Sequence, residues 1–322
     1  MTELQQSILK TLIYFDIHDY PLTVMEIWKW LYRDYADKTQ IGTDKIRIIT
    51  DSSLNKHGSI TDVQEAINQM SDKVESKDGF YFLKGRGELI KIRLDRYNLT
   101  EQKFKRARKF VKILWLIPFV RCVMVVNRLA YSNVHQNSDI DLAVVVQKNR
   151  LWLTRLLSIG LFNLLKVRPK QINRAKAIDL SFFISEDSLN LESLKNDEDV
   201  LFPFWVSQFV PVYDDGIFDK LVKSNQWIKD YLPNSFKYQL NDRRQVRRVS
   251  RANWLISLLV NWDFLEKMSK KYQMKILPQD LKEMMNQDSR VVINDKFLKF
   301  HRHDSRVEVQ EKFDKVFDYL NI

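Results

Sequence analysis

The sequence predicts an α+β fold in three consecutive parts. Three observations carry that reading: apolar residues at helical spacing behind capping signals near the N-terminus, short apolar runs around a helix in the middle, and a helical pattern from Ser185 to the end. The parts are drawn at 1–95, 96–185 and 186–322, with a small mixed sheet in the second.

The first part opens on Thr2-Glu3-Leu4-Gln5, a capping box with Leu4, Ile8, Leu9, Leu12 and Phe15 at helical spacing behind it. DYPLT (19–23) interrupts that helix, and Thr23-Val24-Met25-Glu26 opens a second one bearing Ile27, Trp28 and Leu31. A polar stretch runs to Ser59. Thr61-Asp62-Val63-Gln64 then starts a third helix through Ala66, Ile67 and Met70. VESKDGFYFLKG (74–85) has the pattern of a hairpin, in which Asp78-Gly79 supplies the positive φ of a tight turn. Helix, helix, helix, hairpin is the order of a winged helix. Its expected recognition helix, 62–73, carries Asp62, Glu65 and Asp72 against Lys73 alone, so DNA phosphates would repel it. Sequence-specific DNA binding is not expected of that helix; a structural or protein-contact role is. The wing is more basic, with Lys77, Lys84 and Arg86, and suits at most weak backbone contact.

In the second part, TEQKFKRARKFVK (100–112) reads as a basic linking helix. Cys122 to Val126, Ile140 to Val146 and Ala177 to Ile184 read as strands, with a helix from Arg150 to Lys166 that Asn149 can cap. In the third part, SEDSLNLESL, VLFPFWVSQFV, IFDKLVKSNQWIKDYL, ANWLISLLVNWDFLEKMSKKY and RVEVQEKFDKVFDYL all read as helical. There is no internal repeat and no low-complexity tract.

Composition narrows the function classes. The chain has 322 residues, 45% of them hydrophobic, which is enough for real cores, and only 7 Gly and 7 Pro, which favours long regular elements. The single cysteine, Cys122, rules out an internal disulfide framework, fits a reducing cytosol and is expected in the core. Met1 leads into a capped polar helix and not into a basic, then apolar, signal segment. The apolar stretches 113–120 and 156–165 are interrupted or too short for a bilayer, which needs about 20 residues. A cytoplasmic protein without a membrane span is therefore expected. A net charge of +11 favours polyanionic partners such as nucleotide phosphates or nucleic acid.

The chemistry concentrates in LAYSNVHQNSDIDLAVVV (129–146), where Asp139 and Asp141 stand two apart before a fully apolar run. Residues i and i+2 of a strand share a face at about 6.5–7 Å. Two carboxylates that close repel by about 2–3 kcal/mol at an effective dielectric of 20. A divalent cation removes the penalty, and Mg²⁺ takes carboxylate oxygens. Asp179 lies on another apolar strand and would join them if the two strands are neighbours. From Leu142 to Ile178 there is no acidic residue, but Lys148, Arg150, Arg155, Lys166, Arg168, Lys170, Arg174 and Lys176 are present. A basic segment bracketed by acids suits a triphosphate or nucleic-acid substrate.

A strand, a short loop, N-S-D-I-D-L and a second strand resembles the nucleotidyltransferase fold of the DNA polymerase β-like superfamily. Its pattern is an apolar strand ending in Gly-Gly or Gly-Ser, a gap of about ten residues, Asp-x-Asp, and a third acid on a later strand. The chain is also similar to a group of bacterial proteins that join a winged helix, this domain and a helical tail. YFDIHDYPLT (14–23), SDIDLAVVVQKNRLWLTRLL (138–157), LSFFISEDSLNLESL (180–194) and FHRHD (300–304) carry that likeness, which spans most of the chain. The resemblance implies Mg²⁺-dependent transfer of a nucleoside monophosphate from an NTP to an acceptor hydroxyl on a small molecule, protein or RNA. It implies Asp139, Asp141 and Asp179 as metal ligands and catalytic carboxylates, with Asn127, Arg128, Ser132 and Ser138 at the nucleotide.

One departure stands out. Asn127-Arg128 replaces Gly-Ser, exchanging close backbone approach and a hydroxyl donor for a residue that tolerates unusual backbone angles and a guanidinium that can bind phosphate. Two alternatives follow: a catalytically silent nucleotide- or partner-binding module, and a winged-helix nucleic-acid regulator aided by the stripe Arg243, Arg244, Arg247, Arg248 and Arg251 at helical spacing. That stripe reads equally as a solvated helix face. His301, His303 and Asp304 read as a surface loop in preference to a metal site, and His135 as a solvated loop residue. No G-x-x-x-x-G-K-[ST] loop and no Ser-His-Asp arrangement is present.

Overall fold

The computed structural model of the protein describes residues 1–33, 59–169, 172–196, 199–235, 241–247, 262–302 and 305–320. It is an α+β chain built on a mixed sheet.

The N-terminal elements are α1 (Glu3–Asp16), α2 (Val24–Lys29), α3 (Ile60–Asn68), β1 (Val74–Lys77) and β2 (Phe80–Leu83). Thr2 and Gln5 form the expected reciprocal capping box on α1, and Thr23 and Glu26 form one on α2. The third box falls two residues earlier than expected. Ser59, in an extended conformation, accepts from Asp62 N–H at 3.1 Å, so Ser-x-x-Asp supplies the reciprocal pair in place of the box expected at Thr61. Asp78 and Gly79 both take positive φ, 55° and 79°, and close the β1–β2 hairpin. Leu22 bridges Tyr81 on the hairpin's outer side.

A single helix, α4 (Leu89–Leu114), runs on from the hairpin, and the boundary expected at 95/96 falls inside it. Arg93 on α4 is 4% exposed, donates to both carboxylate oxygens of Glu26 at 2.8 Å and to Pro21 O, and lies 4.3 Å over the Tyr20 ring. DYPLT is thus the surface that receives α4.

The sheet follows: β3 (Val120–Val125), the short α5 (Asn127–Ala130), β4 (Ile140–Val146), α6 (Leu151–Leu164) and β5 (Ile178–Ser185). Beyond them come α7 (Leu201–Ser207), β6 (Val210–Asp214), α8 (Phe218–Ser224), α9 (Asp263–Ile276), α10 (Gln279–Met284), β7 (Val291–Ile293), β8 (Phe297–Phe300) and α11 (Ser305–Tyr319). Strand order is β6-β3-β4-β5-β8-β7, and among the described strands only β4 and β5 pair in parallel, as the α6 crossover between them requires. The expectation of a purely helical C-terminal region is corrected here: β6, β7 and β8 all come from it. They are short, and what makes them strands is pairing with β3 and β5, far away in sequence.

The cap of α6 is also corrected. Asn149 takes φ 59° and does not cap; Glu266 of α9 reaches across and accepts from Trp152 and Leu153 N–H at 2.8 and 2.9 Å. The arginine stripe is not helical where it is described. Arg243 and Arg244 sit in a short 3-10 turn, with Arg244 paired to Glu101 and stacked 4.0 Å over Phe104, while Arg248 and Arg251 lie outside the described residues.

Two cores cover the two sheet faces. Val123, Val125, Leu142, Val144, Leu180 and Phe183 pack with α4 and α6. Cys122, Met124, Ala143, Val145, Phe182 and Ile184 pack with α1 and α7, where Tyr14 stacks on Phe204 at 3.9 Å. Among the described residues no helix is long and apolar enough to cross a membrane.

Candidate active site

Strand alternation places Asp141 on the sheet face of Ala143 and Val145, the side covered by α1 and α7. Asp141 and Asp179 are direct register partners on the parallel strands β4 and β5. Directly after this pair the register slips, so that Ala143 faces Phe182 and β5 carries one extra residue. Such a bulge re-aims side chains, and here it leaves Ser181 within 3.3 Å of His301 Nε2. Asp139, Asp141 and Asp179 all line one cavity of about 1290 Å³.

The electrostatics tie Asp139 to Asp179. Burial, and then the charge of Asp139, hold the Asp179 carboxyl above the usual carboxylate range; Arg168, the Leu180 N–H and the Ser181 hydroxyl pull it partly back. Among the described residues no group of three or more His, Cys, Asp and Glu side chains stands close enough together to hold a metal ion, so Asp139, Asp141 and Asp179 share a cavity without forming a ready three-carboxylate site. What the site offers a cation is the donor type that Mg²⁺ prefers, carboxylate oxygen, on a register-matched pair with a third carboxylate alongside.

The turn after β3 forms the next wall. Val126 N–H donates to Asp141 O at 3.1 Å, and Asn127 then takes φ 57°, a left-handed conformation in which asparagine is among the least strained non-glycine residues. Its side-chain oxygen accepts from Trp205 Nε1 at 2.6 Å, so α7 holds the turn. Arg128 is exposed, lines the cavity and pairs with no carboxylate among the described residues; its charge acts on His18, Tyr131 and His135. Ser138 also lines the cavity, with its hydroxyl accepting from His135 N–H at 3.0 Å. Ser132 does not line it. That residue follows α5 at φ 65°, and its carbonyl accepts from Thr100 of α4.

Several positioning residues carried no sequence signal. Lys103 of α4 is 4% exposed and donates to Ser138 O at 2.5 Å and Ala175 O at 2.9 Å, which ties down the segments leading into both aspartate strands. Burial lowers its proton affinity and Asp139 opposes that shift. Arg96 donates to Asp19 O and to the fully buried Asn133, which donates to His18 O at 2.7 Å. Ile17 and His18 thereby become part of the cavity wall. His135 is not a free loop residue: it sits 3.4 Å from Arg96, and burial followed by the Arg96 and Arg128 charges lowers its proton affinity. On the opposite side His301 lies edge-on to Trp205 at 6.0 Å, while His303 and Asp304 fall outside the described residues. The only hint in the sequence was that these polar residues interrupt apolar or helical patterns.

Compared with known proteins, the chain matches no family model, no curated protein and no solved structure.

Asp179 gives a first testable consequence. A carboxyl whose proton is bound more tightly in the folded than in the unfolded chain stabilises the fold below the unfolded pKa, and this is lost as pH rises through the folded value. Asp179→Asn should therefore raise the melting temperature of the metal-free protein at pH 8. The gain should vanish near pH 4, about the unperturbed aspartate pKa. Thermal unfolding in EDTA across that range checks it, and a lower melting temperature at pH 8 would contradict it.

Proposed function

We propose that this chain is a Mg²⁺-dependent nucleotidyltransferase of the DNA polymerase β-like kind, moving a nucleoside monophosphate from an NTP to an acceptor hydroxyl. The observation that supports it best is the register pairing of Asp141 with Asp179 beside Asp139, on a cavity that also receives the Asn127–Arg128 turn. In this reading Asp139 and Asp141 hold the cation and orient the triphosphate. When bound, Mg²⁺ neutralises phosphate charge and activates the attacking oxygen. Asp179 accepts the acceptor's proton, and the raised proton affinity set by burial and Asp139 suits a base. Ser181 donates to Asp179 and approaches His301, which holds the carboxylate in place.

The three N-terminal helices and the hairpin, with the Leu22–Tyr81 bridge, are read as a winged helix. Its α3 exposes Asp62 and Glu65, so a protein-contact and wall-forming role is assigned to it, not DNA reading. The commitment of Asn127 to Trp205 favours one second reading, a nucleotide-binding domain that does not transfer.

The test is incubation with each α-labelled NTP and Mg²⁺, with a small-molecule extract, RNA or protein as acceptor. Labelled product with pyrophosphate release is expected. Mg²⁺-dependent ATP binding without product in any pool would favour the second reading, and no nucleotide binding would remove both. Arg128 offers a sharper probe. Arg128→Ala should weaken Mg²⁺-nucleotide binding by about 1.5–3 kcal/mol, the worth of a charged hydrogen bond. Calorimetric titration measures this; tighter binding in Arg128→Ser would mean that the guanidinium obstructs the site.

A further inference from the structure

We propose that Arg155 and Arg168 form a binding site for a phosphate group carried by the acceptor, separate from the phosphates of the nucleotide. The anion site does not depend on the reaction; its assignment to an acceptor rests on the nucleotidyltransferase reading above.

Arg155 projects from α6 and Arg168 from the segment that follows it, and both line the cavity that holds Asp179. Arg155 Nη1 donates to Gln273 Oε1 at 2.6 Å, and its guanidinium stacks 4.1 Å over the Phe300 ring. Those contacts fix the plane of the group but leave donors over. The Nε atoms of both arginines are buried without an acceptor among the described residues, and no described carboxylate lies within ion-pair distance of either. Two neighbouring guanidiniums repel each other, and buried donors without partners are costly. Arg93 and Arg306, by contrast, are paired with Glu26 and Asp199. A phosphate dianion supplies what is missing, since its oxygens accept paired guanidinium N–H groups and its charge cancels the repulsion.

Position separates this site from the nucleotide's. The charge of Arg168 is felt at Asp179 and that of Asp179 at Arg155, and Asp179 is the carboxylate assigned to the acceptor. Arg128 acts instead on His18, Tyr131 and His135, on the α1 side. A nucleotide anchored at Arg128 and a phosphorylated acceptor anchored at Arg155 and Arg168 would bring a hydroxyl toward the aspartates from the opposite direction.

The experiment is calorimetric titration of the full chain with inorganic phosphate, with and without saturating Mg²⁺-ATP. Variants are Arg168→Gln, Arg155→Gln, Arg128→Ala and Asp141→Asn, and circular dichroism and melting temperature establish folding. Phosphate affinity should fall at least about tenfold in Arg168→Gln and Arg155→Gln, the loss of one charged hydrogen bond. It should hold in Arg128→Ala and Asp141→Asn, and Mg²⁺-ATP should not displace it. Unchanged phosphate binding in a folded Arg168→Gln protein would overturn the site. Competition by Mg²⁺-ATP would overturn its separateness and give it to the triphosphate tail. Phosphate binding at these arginines in a protein that never binds Mg²⁺-ATP would overturn the acceptor assignment, and the failure would then lie with the nucleotidyltransferase reading.

Discussion

Asp141→Asn should reduce the proposed nucleotidyl transfer by on the order of 10³-fold or more, because in that reading Asp141 holds the cation, and such a carboxylate supplies several kcal/mol of transition-state stabilisation. The substitution keeps the shape of the side chain, and the backbone bond from Val126 N–H to Asp141 O does not depend on the charge. Folding should therefore persist, and the melting temperature of the metal-free variant should not fall. Mg²⁺-dependent binding of ATP should weaken in parallel with transfer. Asp139→Asn should behave alike, since Asp139 lines the same cavity and its charge is felt at Asp179. Product formation at the wild-type rate in a folded Asp141→Asn protein would end the metal reading of this site.

The largest effect on stability is expected at Asp199. Its side chain is 1% exposed and accepts from Arg306 of α11 at 3.2 Å, while its other oxygen accepts from Phe202 N–H at the start of α7 at 2.9 Å. Arg306 also donates to Leu194 O and Ser289 Oγ, so one guanidinium ties α11 to segments far apart in sequence. Asp199→Ala leaves that cation buried without its counter-charge, at a cost of about 3–5 kcal/mol. Denaturant unfolding of the full chain should show it as an earlier midpoint. The double variant Asp199→Ala with Arg306→Met should recover part of the loss, because no unpaired charge remains. By contrast, Asp95→Ala, which removes an exposed partner of Lys91, should leave the midpoint where it was. Equal midpoints for Asp199→Ala and Asp95→Ala would show that the buried pair contributes nothing.

How much of this was legible beforehand differs from element to element. The capping boxes at Thr2 and Thr23 were readable because both partners lie within one turn of helix. The hairpin at Asp78-Gly79 was readable because the residue types themselves permit positive φ. Strand β4 was readable because a strand buried on both faces needs an apolar run, here Leu142 to Val146, and β5 because its apolar residues outnumber the two polar ones, Asp179 and Ser181, before Ser185. The three later strands were not. VPVYD follows directly on the apolar helix of α7, and FLKF has too few residues to show a period.

The sequence by itself determined the local order of the chain and the identity of the unusual carboxylates, since capping, turn chemistry and an Asp-x-Asp before an apolar run are all short-range facts. It did not determine that Asp179 stands opposite Asp141, because strand neighbours are chosen by sheet pairing and not by spacing along the chain. Nor did it show that Lys103 and Arg96 hold the loops, or that Glu266 caps α6. Each of those contacts joins residues dozens of positions apart. Only the tertiary structure decided them, because a long polar side chain finds its partner once burial has removed water as the alternative.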